Sequence, residues 1–86
     1  MNEKNELIDN MKKIHTTIMG LERLKRNLKS VLAEEEPCEF CKRLILDSDC
    51  KIKRQGKNFY CSKNNTIITI NSYSYTIITA HIYKNL

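Results

Sequence analysis

Four side chains in the second half of the chain could together act on an RNA phosphodiester. Cleaving RNA without a metal needs a base for the 2′-hydroxyl proton, an acid for the leaving oxygen, and cations around the phosphate. Histidine suits proton transfer because its pKa lies near neutrality, lysine supplies positive charge, and tyrosine and threonine hydroxyls donate hydrogen bonds. The candidate catalytic residues are therefore His81, Lys53, Tyr60 and Thr79. The plainer interpretation is that these are exposed strand residues with no catalytic task.

Positive charge is concentrated in the same half of the chain. The net charge is +5 at neutral pH, and bases and acids balance over residues 1–36, so the excess lies in residues 37–86. A surface of one sign favours a polyanion, RNA or DNA, over a metabolite, although an ordinary basic surface would give the same totals. No acid follows Asp49, whereas the bases after it are Lys51, Lys53, Arg54, Lys57, Lys63 and Lys84.

Contacts to the nucleic acid are predicted from two parts of the chain. The basic part supplies Lys51, Arg54, Lys57 and Tyr75. His15 and Arg23 precede it, and they can reach the edge of the site only if the second helix begins beside the sheet. The sequence alone does not decide that point.

These residues must be positioned by a sheet, and its clearest signature is the last stretch of the chain. Thr-Ile-Ile-Thr occurs twice, at Thr66–Thr69 and Thr76–Thr79, with a small polar segment between the repeats. β-Branched and aromatic arms around a polar centre predict an antiparallel hairpin. Two strands alone expose too much apolar surface, so the first half of the chain must cover one face.

The first half has the periodicity of helices. Apolar residues at helical spacing predict one helix over residues 3–14, a second capped by Thr16 or Thr17, and a third that enters at residues 34–37 and ends near residues 47–49. From Cys50 the period becomes two, with a turn at residues 55–57. We predict a single α+β domain over residues 1–86, in which residues 1–47 form two to three helices packed on one face of a four-stranded antiparallel meander of residues 48–86.

Alternation along the strands predicts which side chains the helices cover. The covered set is Cys50, Ile52, Phe59, Cys61, Ile68, Ile70, Ile78, Ala80 and Ile82. The open set is Lys51, Lys53, Asn58, Tyr60, Thr69, Tyr75, Thr79, His81 and Tyr83, with Ile67 and Ile77 on the same side. Lysine, tyrosine, threonine and histidine are thus expected on one open face.

Two resemblances accompany this pattern. Helices followed by four strands, the last reading Tyr75-Thr76-Ile77-Ile78-Thr79-Ala80-His81, resemble the small nuclease superfamily of barnase, EndoU, colicin RNase domains and RelE toxins. That resemblance implies catalytic groups on the sheet face away from the helices. The segments 15–28, 53–58 and 71–81 are similar to a family of short bacterial proteins known only as a domain of unknown function, which implies no activity.

The four cysteines allow three interpretations. Cys38, Cys41, Cys50 and Cys61 could form a zinc tetrad, but only one pair has knuckle spacing and no glycine accompanies it. Cys38 and Cys41 at a helix start could instead be a redox dithiol, although no βαβ unit surrounds them. Buried thiols are the default, and we expect neither a metal nor a cofactor.

The first functional prediction is a small basic RNA-engaging protein of the cytoplasm, acting as a metal-independent, toxin-like ribonuclease. The alternative is a non-catalytic inhibitor from a phage or mobile element, such as an anti-CRISPR protein that binds an RNA-guided nuclease. Expected partners are therefore RNA or a nucleic-acid-processing protein complex. No apolar run approaches the ~20 residues of a membrane span and residues 1–4 do not open a signal peptide, so no membrane is expected. The two repeat strands could also mediate a homodimer.

Overall fold

The computed structural model describes residues 3–83, and Lys84, counted above among the bases, lies outside them. The helices are α1 (Glu3–Asp9), α2 (Ile18–Asn27), α3 (Lys29–Leu32) and α4 (Pro37–Leu46), with a short 3₁₀ helix at Met11–Lys13. The strands are β1 (Lys51–Gln55), β2 (Asn58–Lys63), β3 (Thr66–Asn71) and β4 (Ile77–Ile82), paired antiparallel in the order β1-β2-β3-β4. The predicted α+β class and the antiparallel meander are confirmed.

Side-chain caps fix where the two longest helices begin. The Thr17 side chain accepts a hydrogen bond from the Gly20 N–H at 3.0 Å and starts α2. The Glu36 carboxylate accepts from the backbone N–H groups of Cys38 and Glu39, and Pro37 follows in the first turn of α4. Both starting points agree with the sequence prediction.

Two of the predicted helices are shorter than expected. The first ends at Asp9, because the Asn10 side chain donates to the Glu6 carbonyl oxygen at 2.8 Å and the next turn tightens into a 3₁₀ helix. The second is interrupted at Leu28, whose φ of −105° and ψ of 12° separate α2 from α3. Leu28 is itself fully buried, so the interruption keeps it in the core.

The core lies between the helices and one face of the sheet. Two cross-strand rows face the helices: Phe59, Ile70 and Ile77 form one, and Cys61, Ile68 and Ala80 form the other. All six side chains are buried, and they meet apolar residues of α1, α2 and α4, namely Leu7, Leu24, Phe40, Cys41, Leu44 and Ile45.

A β-bulge in β4 overturns one face assignment. We predicted Ile78 on the covered side and Ile77 on the open side, but Ile77 is only 1% exposed and Ile78 is half-buried. The register shifts between Thr69 and Ile70, so that Thr69 pairs with Thr79 and Ile70 with Ile77. The extra residue in β4 lets both Ile77 and Ala80 pack towards the core.

The chain before α2 occupies the outer edge of β4. His15 forms a parallel bridge with Thr76, accepting from the Ile77 N–H at 2.7 Å and donating its own N–H to the Tyr75 carbonyl at 3.1 Å. The Thr16 hydroxyl donates to the Ile77 carbonyl at 3.0 Å, and the Asn27 amide donates to the Ala80 carbonyl at 3.1 Å. The second helix therefore does begin beside the sheet.

A charged cluster fastens the loop between α4 and β1. The Asp47 carboxylate accepts from the Asp49 N–H at 2.8 Å and pairs with the Lys63 ammonium at 2.9 Å. The backbone hydrogen bond from Asp49, and next the one from Lys63, hold the pKa of Asp47 below its ordinary value. The same pair raises the pKa of Lys63.

Acid should remove the contribution of this cluster to stability. Because the pKa of Asp47 is lower in the folded protein than in the unfolded chain, its stabilising effect is complete above pH ~4 and is lost as the pH falls through the folded pKa. The difference in urea midpoint between the native protein and Asp47→Asn should be largest at neutral pH and should shrink in acid. Asp9→Asn, on the exposed side of α1, is the control and should show no such trend. A difference for Asp47→Asn that stays constant with pH would refute this account.

Candidate nucleic-acid interface

The open face of the sheet carries a continuous polar row. The register places Lys53 opposite Tyr60, Tyr60 opposite Thr69, and Thr69 opposite Thr79. Lys53 and Tyr60 are exposed, and the two threonines are half-buried. Three of the four predicted catalytic residues therefore lie in one line across the strands.

A second row runs beside the first and contains the fourth predicted residue. Lys51 lies opposite Ser62, Ser62 opposite Ile67, and Ile67 opposite His81. Neighbouring strands are about 4.8 Å apart, so His81 on β4 and the lysines on β1 are separated by roughly 14 Å at the backbone. The predicted catalytic set shares one face but extends across its full width.

The lysines of this face have no acidic partner. Among residues 3–83, the ion pairs within 4.0 Å engage Lys42, Arg43, Arg54 and Lys63 and none of Lys51, Lys53 and Lys57. Lys57 lies in the exposed β1–β2 turn beside Gly56, whose φ of +63° suits glycine. Lys51, Lys53 and Lys57 therefore place positive charge on and beside the open face that no acid of residues 3–83 compensates within 4.0 Å.

Two predicted contacts lie elsewhere in the structure. The predicted place of Tyr75 on the open face is wrong: its ring packs against the core and lies 6.3 Å from the Phe59 ring, because the turn before β4 holds Tyr75 at a φ of 59°. Arg54 alternates with the open-face lysines and points to the helix side, where it pairs with Glu6 at 3.7 Å. The Arg54 guanidinium also lies 5.8 Å from the Tyr73 ring centroid.

His15 and Arg23 lie on the side of β4. The His15 Nδ1–H donates to the Lys13 carbonyl at 2.8 Å, which leaves Nε2, 3.2 Å from the Thr76 hydroxyl, as the acceptor of the neutral ring. Arg23 is exposed on α2. Both residues flank the sheet without entering either open-face row.

A shallow groove of about 400 Å³ opens at the end of the sheet where β2 turns into β3. Its lining includes Lys51, Ser62, Ile67 and Tyr83. The sequence prediction named only Lys51 as a site residue in this group. Alternation did place Tyr83 on the open face, and its aromatic ring beside a lysine was the signal that could have identified it.

The cysteines do not form a site on this face. Cys38 is half-buried and the other three are buried, and all four are free thiols. Burial raises the pKa of Cys41 to about 12 and also raises the pKa of Cys38, Cys50 and Cys61. Over residues 3–83, no three histidine, cysteine or acidic side chains are grouped so that they could hold a metal ion. Within residues 3–83 the zinc interpretation therefore lacks geometric support, and the raised pKa values of Cys38 and Cys41 oppose a reactive dithiol.

The family described as Protein of unknown function (DUF3781) matches residues 8–81 of this chain. The chain belongs to this family. No curated protein and no solved structure gives a significant match to the DUF3781 chain, so the nuclease resemblance rests on its own residues alone. Within the described part of the DUF3781 chain, no helix is both long and apolar enough to cross a membrane.

Proposed function

We propose that the DUF3781 chain binds RNA through the open face of its sheet. The observation that carries this proposal is the set of Lys51, Lys53 and Lys57 on or beside one face, which have no acidic partner within 4.0 Å among residues 3–83. Other bases of the sheet have acidic partners: Arg54 pairs with Glu6, and Lys63 pairs with Asp47 and Asp49. A phosphate backbone would supply the missing negative charge and release counterions.

The dimensions of the face favour a polymer over a small anion. Lys53 and His81 lie on the two outer strands, which are roughly 14 Å apart, so one phosphate group does not span them. Between them, Tyr60 offers an exposed ring and Thr69 and Thr79 offer hydroxyl groups. A chain of nucleotides laid across the strands would meet charge, aromatic surface and hydrogen-bond donors in turn.

Cleavage of that RNA is the narrower form of the proposal. His81 is exposed on β4, and the last strand resembles that of the small nuclease superfamily, whose catalytic groups lie on this face. His81 would take the 2′-hydroxyl proton as that oxygen attacks the phosphorus, and water would protonate the leaving 5′-oxygen as its bond to phosphorus breaks. Lys53, Tyr60 and Thr79 would bind the flanking phosphates and sugars. Incubation with RNA in EDTA should give fragments that are absent with His81→Ala. If the native protein leaves the RNA intact, cleavage is excluded and binding remains.

Removing the open-face charge should weaken RNA binding in a salt-dependent way. For the native protein, the logarithm of the association constant should fall with the logarithm of salt concentration with a slope of about −2 or steeper, since each phosphate contact contributes about 0.7 on a single strand. Lys51→Gln with Lys53→Gln should reduce the magnitude of that slope by about 1.4 and lower the affinity. Fluorescence anisotropy of a labelled, mixed-sequence RNA oligonucleotide measures both quantities.

The matched control removes the same number of positive charges, two, from the helical half of the chain. Lys12 and Lys29 are exposed, lie outside the sheet, and have no acidic partner within 4.0 Å among the residues that the structure describes. Lys12→Gln with Lys29→Gln should leave the slope within about 0.3 of the native value, less than half of one phosphate contact. Equal losses in the two double variants would show that net charge, and not this face, determines binding. Absence of binding by the native protein would reject the proposal.

An exposed apolar pair favours a second candidate, the inhibitor of an RNA-guided nuclease. Ile18 is 82% exposed and Met19 is 66% exposed at the start of α2, which is where a protein partner could cover them. If the chain is such an inhibitor, the native protein should form a stable complex with an RNA-guided nuclease on size-exclusion chromatography. The variant with Ile18→Ser and Met19→Ser should not form this complex. The lysine double variant should then leave the complex intact.

A further inference from the structure

The groove at the β2–β3 turn has an aromatic wall held in place by the backbone. Asn64 and Asn65 have φ values of 52° and 65°, so they form the tight left-handed turn that asparagine tolerates in hairpins. The Asn65 carbonyl accepts a hydrogen bond from the Tyr83 N–H at 2.7 Å, which fixes Tyr83 just beyond the end of β4. Its side chain is 53% exposed and lines the groove, with the His81 ring 6.3 Å away in an edge contact.

The charge of the groove comes from one lysine. Asp49 and Lys63 both line it, but they pair with each other at 3.6 Å, and Lys63 also pairs with Asp47. Lys51 has no acidic partner within 4.0 Å in the described part of the chain, residues 3–83, and lies at the opposite side of the same groove from β4. The floor between Lys51 and the Tyr83 wall includes the half-buried side chains of Ser62 and Ile67.

We infer that this groove takes one unpaired base of a single-stranded RNA, with the base stacked on Tyr83 and a neighbouring phosphate bound by Lys51. The inference rests on the proposed function and specifies its substrate class. Aromatic rings such as tyrosine and histidine are the surfaces on which proteins stack unpaired bases, and every base has a face that can stack. The amide side chains of Asn64 and Asn65 at the rim can hydrogen-bond to a base edge.

A double helix does not fit this arrangement. Its bases are stacked on each other and paired, so none of them can present a face to Tyr83 without leaving the helix. The phosphates of a duplex would still meet Lys51, Lys53 and Lys57 from outside. Binding of a duplex is therefore expected to depend on the lysines and to be independent of Tyr83.

The experiment compares ring removal with ring retention. A mixed-sequence RNA oligonucleotide, alone and annealed to its complement, is titrated with the native protein, Tyr83→Ala, Tyr83→Phe and the control Tyr73→Ala by fluorescence anisotropy. Tyr83→Ala should weaken single-strand binding by about five- to 150-fold, the range for one stacked base, and leave duplex binding unchanged. Tyr83→Phe should retain native affinity. Tyr73, an exposed tyrosine of the β3–β4 turn, does not line the groove, and its removal should have no effect.

The outcomes separate this inference from the proposal on which it rests. Native single-strand affinity in Tyr83→Ala, or equal effects of that variant on single strands and duplex, would overturn the base pocket while RNA binding through the lysines could stand. No binding of either RNA by the native protein would overturn both. Urea unfolding of Tyr83→Ala with a native midpoint shows that any loss of affinity comes from the missing ring. If the urea midpoint of Tyr83→Ala falls, the Tyr83→Phe variant decides. Native single-strand affinity and a native urea midpoint in Tyr83→Phe support the base pocket, and weakened single-strand binding by Tyr83→Phe opposes it.

Discussion

Replacing Phe59 by alanine is expected to lower the free energy of unfolding by about 3–5 kcal/mol, the largest effect of any single truncation in the sheet. Phe59 is 0% exposed and lies in the covered row between Arg54 and Ile70. Its ring stacks on Tyr75 with 6.3 Å between centroids. Removal of the ring therefore leaves a cavity at the junction of sheet and helices and also frees Tyr75.

The matched control for Phe59 is an exposed aromatic residue of the same region. Tyr73 is 71% exposed, and the Arg54 guanidinium lies 5.8 Å from its ring centroid. Tyr73→Ala should change the unfolding free energy by less than about 1 kcal/mol. Equilibrium urea denaturation followed by far-UV circular dichroism measures both variants. A Phe59→Ala variant whose free energy of unfolding lies within about 1 kcal/mol of the native value would mean that the core does not depend on this ring.

Leu24→Ala should cost about 2–5 kcal/mol by loosening α2 from the sheet. Leu24 is fully buried and points from α2 into the core, and two polar residues, one just before the N-cap and one at the last position of the helix, also attach α2 to the sheet. These are Thr16 and Asn27, which donate to the Ile77 and Ala80 carbonyls. Each such hydrogen bond contributes about 0.5–1.5 kcal/mol, so Leu24 supplies the larger share of the attachment.

Ile18 provides the control on the same helix. Its side chain is exposed, and alanine has the higher helix propensity, so Ile18→Ala should change the unfolding free energy by no more than about 0.5 kcal/mol in either direction. Thermal and urea unfolding of the two variants give the comparison. Similar losses for both would indicate that α2 is held by its own helical stability and not by burial of Leu24.

The faces of β1, β2 and β3 could be predicted from the sequence because alternation is a local property of a strand. Lys51, Lys53, Tyr60 and Thr69 lie on the open face as their positions require. The lysine-rich part of the candidate interface could therefore be predicted from alternation along β1 alone. Three helical segments and the starts of the second and third helices were also predictable, since caps and apolar spacing act within a few residues.

The faces around the start of β4 could not be predicted in this way. Ile77 and Ile78 are chemically identical neighbours, and nothing in the sequence marks which of them takes part in the bulge. The choice depends on tertiary contacts, because the His15 backbone occupies the edge at Ile77. The predicted open-face position of Tyr75 was wrong for a related reason. A positive φ is rare for tyrosine, and only the turn around Tyr75 imposes one.

The groove was missed because it joins residues far apart in the chain. Lys51 and Tyr83 come together only after β1 to β4 have paired in register. The Asn65 carbonyl then accepts the hydrogen bond from the Tyr83 N–H and holds Tyr83 beside the β2–β3 turn. Long-range closure of this kind leaves no local pattern in the sequence.

The two borders of the sheet are unlike each other, and this difference affects how copies of the chain meet. The edge of β4 is occupied by His15, Thr16 and Asn27. Within residues 3–83, only β1 therefore has an edge that could pair with a strand of another chain. A second copy approaching β1 would bring its own Lys51 and Lys53 against the same lysines, and like charges oppose that contact. The homodimer stays a prediction, and it would need another surface. A ligand that neutralises the Lys51 and Lys53 ammonium groups would also remove this repulsion between copies of the chain. Solubility should therefore fall where the ligand is present in stoichiometric amount.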